Sequence, residues 1–132
     1  MQLSSATTML AAAVAHAEQL GVKVCISIVD ATAWPVAFMR MDGTILGAID
    51  VANKKARTAA LFQMDSADFA QIARPDGDAY SLENTNGGLT SFGGGLTIRA
   101  ADGACLGAIG VSGAATADDI AIARAALLAL PS

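Results

Sequence analysis

Two pairs of short apolar runs constrain this chain more than any other feature. Residues 24–29 are rich in β-branched side chains (Val24, Ile26, Ile28, Val29), and residues 36–41 follow after a polar turn, bounded by Pro35 and by Asp42-Gly43. Residues 96–100 and 105–111 repeat the arrangement, joined by the hairpin dipeptide Asp102-Gly103. A parallel pair needs a crossover of about a dozen residues or more, so links this short predict antiparallel hairpins.

The rest of the chain supplies helices to cover those hairpins. In 4–20, Met9, Leu10, Ala13, Val14, Ala17 and Leu20 recur at helical spacing, and Gly21 supplies the stop. In 45–62, Ile45, Ile49, Ala52, Ala56, Ala59 and Ala60 form a packing face, opposite a polar face of Asp50, Lys54, Arg57 and Thr58. A shorter helix is predicted over 66–73 with Ser66 as its cap, ended by Pro75-Asp76-Gly77. Residues 77–95 read as loop. A last helix over 117–130, capped by Thr116, is apolar all round (Ile120, Ile122, Leu127, Leu128, Leu130), as a helix covered on both sides would be. Hairpins separated by helices predict an α+β fold with an antiparallel sheet, one domain over 1–132, and exclude doubly wound architecture.

Composition narrows the function classes. Hydrophobic residues make up 54% and charged residues 15% of the chain, too little charge for the whole outside of a monomer, so contact between copies is expected. The net charge is −4 and the longest basic run is Lys54-Lys55, which leaves no nucleic-acid footprint. No apolar stretch reaches the roughly 20 residues of a membrane span. The first residues have no basic leader, and the two cysteines, Cys25 and Cys105, sit in separate strand-like runs as small apolar side chains. A cytoplasmic location is the expectation.

Few residues can carry chemistry. His16, the single histidine, lies at the edge of the first helix's apolar stripe, where it is either an ordinary half-exposed helix residue or an axial haem ligand or general base. Lys54 and Arg57 sit on one turn of the second helix. They are either a solvated face, with an Asp50–Lys54 pair, or a clamp for a carboxylate such as a haem propionate or an acidic metabolite. The run Gly93-Gly94-Gly95 lacks the spacing of a phosphate-binding loop and serves equally as a ligand cradle or a tight bend. Ser112-Gly113, ahead of the last helix, offers backbone amides to an anion.

An ordered set of segments carries a resemblance. Val29-Asp30, Phe38-Met39-Arg40-Met41-Asp42-Gly43, Lys54-Lys55-Ala56-Arg57-Thr58-Ala59, the triple glycine, Gly107-Ala108-Ile109-Gly110-Val111-Ser112-Gly113 and Asp118-Asp119 together resemble the GlcG/HbpS-like haem-binding family, often labelled haem-degrading. That family includes the C-terminal domains of PduO-type proteins. The resemblance implies an antiparallel sheet of about five strands flanked by helices, homo-oligomers from dimers upward, and haem binding in some members. It also implies that His16, in Ala15-His16-Ala17-Glu18, occupies the place of an axial ligand in the first helix. Phe92 and Leu96 stand where the family usually has prolines around its glycines.

Two principal functions follow as expectations. The first is a haem binder in which His16 ligates iron and Lys54 and Arg57 pair with propionates. The second is an enzyme that abstracts a proton from a small oxygenated metabolite in a polar pocket of Asp30, Arg40, Lys54 and Arg57. A scaffold subunit whose oligomer is the product is a third, weaker reading.

Overall fold

A computed structural model of the protein describes residues 1–131; of the expected span, Ser132 lies outside the described residues. The elements in chain order are α1 (Leu3–Leu20), β1 (Cys25–Asp30), β2 (Pro35–Arg40), α2 (Gly47–Phe62), α3 (Ser66–Ala73), a 3-10 turn (Tyr80–Asn84), β3 (Gly95–Arg99), β4 (Cys105–Ser112) and α4 (Thr116–Leu128). Both hairpins form as expected, and β1 pairs with β4 between them, so the sheet order is β2-β1-β4-β3 with every neighbour antiparallel.

The sheet has four strands rather than about five. The stretch ahead of β3 cannot extend it, because Asn86, Gly87 and Gly88 hold φ of 55, 73 and 102°, a left-handed run that no strand contains.

Alternation along the strands builds two helical layers, one on each side of the sheet. Ile26 and Ile28 of β1, Leu96 and Ile98 of β3 and Ile109 and Val111 of β4 face α1 and α4, with Met9, Leu10, Ala13, Ala17, Ile122 and Ala126 in the same core. Cys25, Val29 and Ala108 point the other way, toward the alanines of α2. Each fully buried isoleucine contributes about 1.5–3 kcal/mol over an exposed one, and that term holds the α1–α4 side together.

The α2 side works by close approach instead. A Cβ at Gly110 would collide with the carbonyl oxygen of Ala52, and one at Gly95 would collide with that of Lys55. The helix backbone therefore rests directly on the glycines of β3 and β4, and its own alanines leave room for it to do so.

Several local expectations need correction. Ile45 precedes α2 and is exposed, because the helix starts only at Gly47. Thr58 is buried rather than on the polar face; its hydroxyl donates to the Lys54 carbonyl and accepts the Thr90 amide. Ser66 does not cap α3. Its hydroxyl donates to the Phe92 carbonyl at 2.7 Å and accepts the Gly95 amide at 2.9 Å, tying the glycine loop to the helix. Thr116 is the first residue of α4, not its cap. Cys105 is half-buried, whereas Cys25 is buried, and both are free thiols.

Candidate functional site

Three places bring chemistry-bearing side chains together. The first is α1, where Gly21 ends the helix at φ 71° and the buried stripe of Ala6, Met9, Leu10, Ala13 and Ala17 faces the core. His16 flanks that stripe and is half-buried. Among the described residues its imidazole makes no side-chain hydrogen bond and no ion pair, which leaves its ring nitrogens free for an external partner.

The second is a groove of about 600 Å³ on the opposite side of the sheet, between the β1–β2 turn and α2. One wall is Asn53, Arg57 and Leu61, which the helix repeat stacks at i, i+4 and i+8. The other wall is Thr32, Ala33, Trp34, Pro35 and Phe38, with Val29 of β1 also lining it. The turn that carries Trp34 is held by Asp30, whose Oδ1 accepts the Thr32 amide at 2.9 Å, the Thr32 hydroxyl at 2.6 Å and the Trp34 amide at 3.2 Å. Those bonds, led by the Thr32 hydroxyl, hold the Asp30 carboxyl below its ordinary value.

The third is buried. Lys55 lies inside the packing face of α2, fully enclosed, and its Nζ donates to the Val111 carbonyl at 2.8 Å and to Asp119 Oδ2 at 3.1 Å. The Phe92 ring covers the ammonium, with its centroid 4.8 Å away. Asp119 Oδ1 accepts the Ala114 amide at 3.1 Å, so an amide ahead of α4 binds the chain's own carboxylate rather than an outside anion. Burial pushes the Lys55 ammonium down and the Asp119 carboxyl up from their ordinary values, and each partner opposes the shift of the other. Gly94, at φ 124°, passes so close that a Cβ there would meet Lys55 Nζ at 2.6 Å. The triple glycine is thus a close-packed bend around Lys55.

A family model described as haem degrading protein HbpS-like matches residues 1–128. The chain belongs to this family. The HbpS-like chain is 35% identical over 120 residues to the corrinoid adenosyltransferase PduO of Salmonella typhimurium, covering 90% of this chain and 35% of that protein. It therefore spans about a third of the curated relatives it matches first. Among solved structures, it superposes on Klebsiella pneumoniae protein ORFY with a TM-score of 0.94 at 29% identity, covering 98% of this chain and 89% of that one. It superposes on a PduOC:haem complex with a TM-score of 0.92 at 32% identity, covering 98% and 94% of the two chains.

The HbpS-like fold does not gather the expected residues into one cavity. His16 belongs to the α1–α4 layer and Arg57 to the α2 layer, with the sheet between them. Lys54 pairs with Asp50 at 3.0 Å, a half-exposed i,i+4 contact worth about 0.3–0.5 kcal/mol. Arg40, near the end of β2, borders a shallow depression with Glu18, Lys23 and Asp42. Of Asp30, Arg40, Lys54 and Arg57, only Arg57 lines the groove.

Two features escaped the sequence reading. The stripe of Ala52, Ala56 and Ala59 passes through position 55, so a buried lysine there was legible from spacing alone. Its partner Asp119 was not, because nothing local brings the start of α4 against α2.

Proposed function

We propose that this chain binds haem, with His16 of α1 as the axial ligand, in a homo-oligomer in the cytoplasm. The observation that carries the reading is the uncommitted, half-buried imidazole of the chain's only histidine, on the fold of a family with a solved haem complex. Imidazole is a common axial ligand, and an iron bound there would supply ligand exchange and one-electron chemistry. The chain's own part is to present the imidazole and cover the macrocycle with apolar side chains. Lys54 and Arg57, the expected propionate partners, belong to the layer on the other side of the sheet from His16. The free thiols Cys25 and Cys105 suit a reducing compartment. Among the described residues no helix is long and apolar enough to cross a membrane.

The enzyme reading requires a polar pocket around Asp30, Arg40, Lys54 and Arg57. With Asp30 committed to its turn and Lys54 to Asp50, the binding role is preferred.

The test is an absorbance titration with haemin of the wild type beside His16→Ala. A sharp Soret band that saturates at a fixed stoichiometry, and is shifted or lost in the variant, is the expected outcome. The broad spectrum of free haemin from both proteins would sink the proposal.

A further inference from the structure

The groove between the β1–β2 turn and α2 is built for a different ligand. Arg57 is the only cationic side chain lining it. Its Nη2 donates to the Asn86 carbonyl at 3.1 Å, and no acidic group among the described residues lies within ion-pair reach of it. A guanidinium carries five donors in a fixed fork, so most of this one remains uncommitted. Asn53, one turn earlier on the same helix face, makes no side-chain hydrogen bond among the described residues and adds an amide donor beside the fork. The Thr32 hydroxyl, the third polar group of the lining, is already given to Asp30, and the rest of the wall (Val29, Ala33, Trp34, Pro35, Phe38 and Leu61) is apolar.

Trp34 is 71% exposed and Phe38 40%, although the turn beneath the indole is pinned by three hydrogen bonds to Asp30. The aromatic wall is preorganised, and it remains open to solvent. A cavity of about 600 Å³ suits a ligand of one or two rings.

We infer that this groove binds a small aromatic or bulky apolar monocarboxylate. The carboxylate sits on the Arg57 fork beside Asn53, and the apolar body lies against Trp34 and Phe38. Charge decides the class. A neutral apolar ligand would leave the guanidinium without an anion as it loses water, whereas a carboxylate gains a bidentate pair. A dicarboxylate would press its second charge onto the apolar wall. The site lies on the opposite side of the sheet from His16 and is independent of the haem proposal.

Trp34 is the only tryptophan, so its fluorescence reports this groove alone. The probe is phenylacetate, compared with its uncharged analogue phenylacetamide on the wild-type protein and with phenylacetate on Arg57→Gln. Saturable change in Trp34 emission with phenylacetate, at least about ten-fold weaker for the amide and for the variant, is the expected result. Equal response to acid and amide overturns the proposal without recourse to any variant, and so does an Arg57→Gln protein that binds as tightly as the wild type. Sedimentation run alongside covers the remaining occupant. If Trp34 emission follows protein concentration in step with dimer formation, and Trp34→Ala abolishes the dimer, the groove is a contact between copies and the proposal falls.

Discussion

At the scale of single residues, two carboxylates that look alike in the sequence do different physical work. Asp119 is buried beside an ammonium, and removing either partner leaves the other as an uncompensated charge. Lys55→Met is therefore expected to cost about 3–5 kcal/mol of stability in urea unfolding. Lys55→Met with Asp119→Leu should recover part of that loss, although the Ala114 amide is then orphaned. A single variant costing under about 1 kcal/mol would mean that water already reaches the pair. Asp30, by contrast, organises a surface turn. Its folded-state value lies below the ordinary 3.8, so its stabilisation is complete above that pH and is lost as pH falls through the folded value. Asp30→Ala should melt below the wild type at pH 7, and the gap should close as both are acidified below about pH 4. A gap that stays constant with pH would show that the side chain acts through shape, not charge.

At the scale of elements, α2 is the part most dependent on its neighbours. Its alanines promise a close approach, and the glycines of β3 and β4 complete it. Gly110→Ala is expected to destabilise the protein by about 1–3 kcal/mol or more, because the added methyl meets the backbone of Ala52 and Ala56, which has no rotamer to change. Guanidinium unfolding compared with Gly103→Ala isolates the effect. Gly103 holds a positive φ, of 88°, with open space around it, whereas Gly110 holds no positive φ, so the second variant reports backbone strain and the first reports contact. A Gly110→Ala protein that loses under about 1 kcal/mol would show that α2 moves aside for the methyl. The helix and strand types were legible because periodicity and punctuation are local. Which hydroxyls capped helices was not: Ser66 and Thr116 both stand at helix starts, but Ser66 bonds to a loop some thirty residues away (Phe92 and Gly95), a partner that no window of sequence contains.

At the scale of the whole molecule, the apolar side chains left outside matter most. Leu128 of α4 is 86% exposed and lines a groove with Leu106, Leu127 and Leu130 beside the β3–β4 hairpin. Together with the low charge content, this patch supports the proposed homo-oligomer. Sedimentation at micromolar concentration should show a species larger than the 13.2 kDa chain, and Leu128→Glu should shift it toward the monomer. A wild type that remains monomeric would remove the oligomer from the proposal.

What the sequence determined by itself is what short-range physics controls: four strand segments, their hairpin pairing, four helices, and the family through an ordered set of short segments. Tertiary structure alone decided which charged groups meet. Lys54 and Lys55 are adjacent in the chain, yet one step along α2 turns the first outward to Asp50 and the second inward to Asp119. Likewise the sheet separates His16 from Arg57, because alternation along β1 and β4 sends α1 and α2 to opposite faces. A ligand site depends on distances across the fold, and those are set only when the layers pack.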